Sequence, residues 1–116
     1  MDATDLEELK RRWNELCERL RDSFGEDPDL QGILFLIGVQ ELGKGPVKFS
    51  KDEKQDLMHL AVCRLLSHYG YYMLTGVDDE GWPHWELVTQ LPALTLKEQD
   101  LLLKQAAIDY FEAMGL

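Results

Sequence analysis

The sequence predicts a mainly α fold, with four helices around a central apolar helix and one β-hairpin inserted before the last helix. Two observations predict this class. Capping signals are followed by glycines at helix-length intervals, and an aromatic, β-branched stretch separates the third helix from the fourth. A length of 116 residues is typical of one domain. We therefore expect residues 1–116 to form a single domain.

Helix starts are marked by three capping boxes and by one acidic residue before a proline. In a capping box a hydroxyl accepts from the third helical N–H, and a glutamate reaches back to the cap residue. Asp27-Pro28 provides the fourth start, with proline at the first helical position. The boxes are Thr4-Asp-Leu-Glu7, Ser50-Lys-Asp-Glu53 and Thr95-Leu-Lys-Glu98, and the closing glycines are Gly25, Gly43, Gly70 and Gly115. These signals predict helices near 5–24, 28–42, 51–69 and 96–114.

The second helix is the one whose pattern is ambiguous. Residues 30–39, LQGILFLIGV, are apolar on every side and could equally form a buried strand. Gly32 and Gly38 each cost a helix about 1 kcal/mol relative to alanine. The Pro28 start, the length and the polar pair before Gly43 favour a helix, in which the two interior glycines would let neighbouring elements approach closely.

Residues 71–88 predict a β-hairpin. Two aromatic and β-branched runs flank the acidic turn 78–81, which ends in glycine. Pro83 lacks an N–H, so its strand should lie at the edge of a sheet of only two strands. Alternation places Tyr72, Leu74, Pro83, Trp85 and Leu87 on a face against the helices, and Tyr71, Met73, Thr75, Trp82, His84 and Glu86 on the other.

The second face of the hairpin is the first candidate site. Trp82, His84 and Glu86 lie beside Asp78, Asp79 and Glu80 of the turn. A histidine with carboxylates is a pattern that binds divalent metals or supplies a general base. The alternative is that Trp82 packs on a neighbour and the acids are solvated. Because no second histidine stands at ligand spacing, we expect no metal site and no catalytic residue.

The loop before the third helix is the second candidate site. Lys44, Lys48 and Lys51 form a local basic cluster and lead into a predicted helix N-terminus, where free N–H groups favour an anion. The glycine and lysine order of a P-loop is absent. The alternative is an ordinary connection whose lysines are solvated.

Charge and cysteine content limit the function classes. A formal net charge of −10 repels phosphate backbones, so we expect no nucleic-acid partner. Two cysteines make neither a disulfide framework nor a zinc site. No apolar run is long enough to cross a bilayer, and the first residues lack the order of a secretory signal. We expect a soluble cytoplasmic protein with no cofactor and no membrane association.

These features favour an interaction or assembly protein with a protein partner, or a homodimer, because apolar and aromatic residues are abundant and a reactive constellation is missing. The alternative is a small-ligand or enzyme module that uses the His84 and Glu86 face, or the Lys44, Lys48 and Lys51 loop, for an anion.

Overall fold

A computed structural model describes residues 3–26, 28–45 and 47–115 of the chain. Four helices and one antiparallel hairpin appear in the predicted order, so the predicted fold class is confirmed. None of the helices in these ranges combines the length and the apolar character needed to cross a membrane. The elements are α1 (Ala3–Phe24), α2 (Leu30–Leu42), α3 (Lys51–Ser67), β1 (Tyr72–Val77), β2 (Pro83–Leu87) and α4 (Leu96–Ala113).

The chain divides into two compact units, residues 1–30 with 94–116 and residues 31–93. The first unit contains α1 and α4, which pack on each other. The stripe of α1 predicted from the sequence is buried at Leu9, Trp13, Leu16 and Leu20. An ion pair between Arg12 and Glu112 links the two helices. The single-domain organisation and the central place of α2 stay predictions.

The second unit contains the rest of α2, α3 and the hairpin. Residues 30–42 are helical, so the alternative of a buried strand is excluded. Gly38 permits close helix packing, because a β-carbon there would stand 2.2 Å from the Leu57 carbonyl oxygen. The core cluster of this unit consists of Leu42, Leu57 and Leu60, with Phe35, Val39, Phe49, Trp82 and Trp85 packed against it.

Two of the three capping boxes form. The Ser50 and Thr95 hydroxyls accept from the backbone N–H groups of Glu53 and Glu98, and both glutamates accept in return from the cap N–H. The box at Thr4 was wrong, because the helix already includes Ala3, a strong helix former. All four predicted closing glycines have the positive φ of a helix end: Gly25 (75°), Gly43 (71°), Gly70 (83°) and Gly115 (86°).

Two further boundaries differ from the prediction by two residues, and α4 ends at Ala113, one residue before its predicted end. Helix α2 begins at Leu30 and leaves Pro28 outside, where its carbonyl oxygen accepts from the Cys17 thiol at 3.6 Å; the proposed cap Asp27 lies outside the described residues. Helix α3 ends at Ser67, two residues early, because the chain tightens into three-residue hydrogen bonds at Tyr69 and Gly70.

Candidate functional site

The hairpin turn is organised by the side chain of Asp78. Its Oδ1 accepts from the backbone N–H groups of Glu80 and Trp82, each at 2.9 Å, and its Oδ2 accepts from His84 Nε2 at 2.8 Å. An aspartate that accepts from the backbone two residues ahead is a common turn former. The predicted neighbourhood of His84 and an acidic residue is therefore present, and its carboxylate is Asp78.

These hydrogen bonds favour the ionised form of the Asp78 carboxyl. The hydrogen bond from His84 is the largest cause that lowers its pKa, and the Trp82 backbone N–H adds to it. The side chain of His84 is 62% exposed, so solvent screens the pair. The pair holds the imidazole in one orientation at the surface of the hairpin.

The hairpin has an irregular register at Thr75. Leu74 pairs with Trp85, and Gly76 pairs with His84, so β1 contributes one extra residue at this point. The sheet has two strands, as predicted. The prediction that Trp82 lies on the face away from the helices was wrong. Trp82 precedes β2, is half-buried, and packs with Trp85 against the same core cluster. Strict alternation does not apply to a residue in the turn.

The prediction that the apolar residues of the hairpin lie on a face against the helices was only partly right. Tyr72, Pro83 and Trp85 are half-buried, whereas Leu74 and Leu87 are 47% and 50% exposed. Helix α3 packs on both strands and covers only part of the sheet. The hairpin therefore keeps apolar side chains at the surface.

An open groove of about 510 Å³ lies between α3 and the hairpin. Its volume is in the range of small-molecule pockets. Helix α3 contributes side chains at spacings of three and four residues, which place them along one face. This groove, called here the hairpin groove, is lined by Glu53, Asp56, His59, Leu60 and Cys63 of α3 and by Asp78, Glu80, Trp82, Pro83, His84 and Trp85 of the hairpin.

The hairpin groove combines aromatic and acidic side chains in its lining. Trp82 and Trp85 rest on the core cluster, so their rings are supported from below. Four carboxylates line the same space, two from α3 and two from the turn. The α3 residues of the lining were not identified from the sequence. Their spacing predicts that they share one face of a helix, but no local pattern predicts that the hairpin packs against that face.

The structure separates the predicted site residues. Trp82 and His84 line the hairpin groove, whereas Glu86 does not and stands opposite Met73 in the sheet. Lys44 reaches the turn: its Nζ lies 4.0 Å from the point where a β-carbon on Gly81 would stand. Lys48 and Lys51 are exposed and lie outside the lining. The two candidate sites therefore meet at Lys44 and nowhere else among the six predicted residues.

The thiol in the hairpin groove is not poised as a nucleophile. Cys63 is 2% exposed, and burial raises the pKa of its thiol to about 11, so the thiolate is scarce at neutral pH. Its Sγ lies 3.6 Å from His59 Nε2. This arrangement agrees with a cysteine that acts as a small core hydrophobe.

One buried donor in the hairpin groove lacks a partner. The indole Nε1 of Trp85 is inaccessible to solvent and makes no hydrogen bond. A buried N–H of this kind costs free energy until it meets an acceptor. Trp85 therefore contributes packing at the expense of one unsatisfied polar group.

Within residues 3–26, 28–45 and 47–115, no group of three or more histidine, cysteine, aspartate or glutamate side chains is arranged to hold a metal ion. The four carboxylates of the hairpin groove therefore line it without forming a preformed metal site. Comparison with known proteins adds no family: no family model matches the chain, and neither a curated protein nor a solved structure matches it.

Proposed function

We propose that this protein is a small interaction module and that the hairpin groove is its contact surface for another protein. The observation that carries the proposal is the pair of half-buried tryptophans, Trp82 and Trp85, in an open groove of about 510 Å³. Tryptophan side chains dominate the binding energy of many interfaces, because they bury a large area at a low cost in conformational entropy.

The surroundings of the two rings support the proposal. Leu42, Leu57 and Leu60 pack beneath them, so the rings are held in place before a partner arrives. A preorganised surface loses less conformational freedom on binding than a mobile one. We infer that the partner is a protein and not a nucleic acid, because the chain carries a net charge of −10. We infer a cytoplasmic location, where the thiols of Cys17 and Cys63 would stay reduced.

A homodimer is the second form of this proposal. The hairpin exposes Met73, Leu74, Val77 and Leu87, each between 47% and 61% exposed. Exposed apolar side chains gathered on one element are typical of a surface that another chain covers. Cyclic dimers are the commonest oligomers.

Site-specific crosslinking tests the contact surface. A photoreactive phenylalanine analogue replaces His59, an exposed residue that lines the hairpin groove, and in a control protein it replaces Glu18, an exposed residue of α1. We expect a discrete adduct from position 59 that excess unmodified protein suppresses, and none from position 18. An adduct with a second copy of the chain would assign the homodimer. Equal adduct yields from both positions would refute the proposed surface.

One observation favours a small-ligand or enzyme module as the second candidate. Asp78 Oδ2 lies 2.8 Å from His84 Nε2, and a histidine oriented by a carboxylate is one part of the arrangement used in nucleophilic catalysis. A thermal-shift screen with metabolites and divalent ions tests it, with H84Q as the control. A stabilising compound whose effect is lost in H84Q would support this candidate, whereas a screen with no stabilising compound would exclude it.

A further inference from the structure

We propose that the hairpin groove binds a basic segment of its protein partner, with an arginine side chain placed among the groove carboxylates and against the tryptophan rings. This inference rests on the proposed interaction function and names the chemistry of the partner. It follows from three features of the groove, which are its charge, its aromatic lining and a lysine that already stands at its edge.

The charge of the hairpin groove is strongly negative. Glu53 and Asp56 face it from α3, and Asp78 and Glu80 face it from the turn. An acidic concave surface steers cationic partners and disfavours anionic ones.

The aromatic lining favours arginine over lysine. A guanidinium can pair with a carboxylate and stack on an indole at the same time, whereas an ammonium is a compact and strongly hydrated charge. Trp82 and Trp85 supply the indoles, and Asp56 and Glu80 supply exposed carboxylates from the two sides of the groove. The lining therefore suits the planar guanidinium of arginine better than the compact ammonium of lysine.

The chain places one of its own cations at the edge of the groove. The Lys44 Nζ lies beside Gly81 in the turn, and its charge contributes to the lowered pKa of Glu53, whose main cause is the hydrogen bond from the Ser50 backbone. The Lys44 ammonium therefore stands near the acidic edge of the groove. A basic partner would have to compete with it, so removal of the Lys44 charge should strengthen binding.

Peptides of defined charge test the proposal by fluorescence polarisation at neutral pH. The probe is a labelled peptide that alternates arginine and glycine, and lysine–glycine and glutamate–glycine peptides of the same length are its controls. We expect the arginine peptide to bind more tightly than the lysine peptide, and the glutamate peptide not to bind. Equal affinities for all three peptides, or no binding of the arginine peptide, would overturn the proposal.

Matched variants separate the groove from the net charge of the protein. The groove variant D56N/E80Q and the control E7Q/E18Q remove the same two charges, the latter from the exposed face of α1. We expect about tenfold weaker binding of the arginine peptide to the groove variant, and less than about a twofold change in the control, where screening is strong. Thermal unfolding verifies that both variants fold. Equal weakening would reduce the effect to non-specific attraction and overturn the proposal.

A gain of affinity provides the sharper test. K44Q should bind the arginine peptide about threefold more tightly, whereas K48Q, the same change in the same loop but not at the lysine beside Gly81, should have a smaller effect. Identical results for K44Q and K48Q would contradict the competition that the structure implies. A further outcome is a dimer that the D56N/E80Q substitutions dissociate but the arginine peptide does not. That result would assign the groove to a second copy of the chain and would also overturn the proposal.

The two levels of the proposal can fail separately. If the arginine peptide does not bind while position 59 still gives its partner adduct, the charge inference is wrong and the interaction function stands. If position 59 gives no adduct while the peptide binds with the expected dependence on Asp56 and Glu80, the groove recognises a basic ligand and the protein-contact proposal is wrong.

Discussion

At the scale of single residues, Gly38 shows how one missing side chain sets the packing of two helices. The α2 backbone at Gly38 lies so close to α3 that a β-carbon would stand 2.2 Å from the Leu57 oxygen and 2.9 Å from the Leu57 β-carbon. The first of these contacts is with backbone, which cannot rotate away as a side chain can. The close approach expected from a glycine inside an apolar run is therefore confirmed at this position.

The substitution G38A should separate α2 from α3 and destabilise the protein by about 3 kcal/mol, at the upper end of the usual cost of overpacking. Urea denaturation followed by circular dichroism measures the loss. The control is Q40A, an alanine substitution in the same helix at an exposed position, which should change stability by less than about 0.5 kcal/mol. Equal stabilities of G38A and Q40A would contradict the described contact.

The two hairpin tryptophans should matter about equally for stability. The sequence predicted a buried Trp85 and an exposed Trp82, but both are half-buried against one cluster. W82A and W85A should each cost about 2 kcal/mol, less than the 3–5 kcal/mol of a fully buried tryptophan. W85F should cost less than W82F, because it also removes the unpaired indole N–H. Denaturation midpoints measure all four variants, and a cost confined to W85A would restore the original assignment.

At the scale of the elements, helix ends were predicted better than the surfaces the elements share. A capping box is a local motif, so Ser50 and Thr95 could be identified from their neighbours alone. The position of Pro28 outside α2 could not be identified in this way. It accompanies a contact with Cys17, which lies eleven residues away in the sequence. For the same reason the hairpin half of the candidate site was found, and the α3 half, Glu53 to Cys63, was not.

The cap residues give a direct test of this distinction. S50A and T95A should each lower stability by about 1 kcal/mol, because each leaves a helix N–H without its acceptor. Thr4 begins the same sequence motif but lies inside α1, so T4A should lower the stability by an amount close to zero. Thermal or urea unfolding of the three variants compares them. A loss at Thr4 equal to that at Ser50 would contradict the described start of α1.

The capping glutamates should make α3 and α4 sensitive to acid. Hydrogen bonds from the Ser50 and Thr95 backbone lower the pKa of Glu53 and Glu98, so the ionised forms stabilise the fold. That stabilisation is complete above the unfolded-state pKa of about 4.3 and is lost as the pH falls through the lower folded-state values. Asp78 contributes with the same sign.

Urea midpoints measured from about pH 6 down to about pH 3 should therefore fall, with the change beginning near the ordinary glutamate pKa. The variant E53Q/E98Q keeps a hydrogen-bonding side chain at both caps and removes the titration, so its profile should be flatter. The variant E7Q/E18Q, which removes two exposed acids of α1, is the control and should follow the parent protein. A parent profile as flat as that of E53Q/E98Q would contradict the role of the two glutamates.

At the scale of the whole molecule, we expect two opposing properties to govern association between copies. A net charge of −10 should keep copies apart at low ionic strength. The hairpin works in the other direction, because each strand of a two-stranded sheet leaves one edge without a partner strand, and Met73 and Val77 are 53% and 61% exposed. Salt screens the repulsion and leaves apolar attraction in place, so ionic strength decides which property prevails.

Light scattering after gel filtration should accordingly give the mass of one chain at low salt and a larger apparent mass as salt is raised. M73Q/V77T lowers the apolar area of the hairpin at unchanged net charge and should keep the protein monomeric at high salt. V47T/L96Q makes the equivalent change at exposed residues outside the hairpin, where Val47 and Leu96 are 50% and 84% exposed, and should associate like the parent. A mass that does not depend on salt would show that charge does not hold the copies apart. An equal response of the two variants would show that the hairpin is not the surface that brings them together.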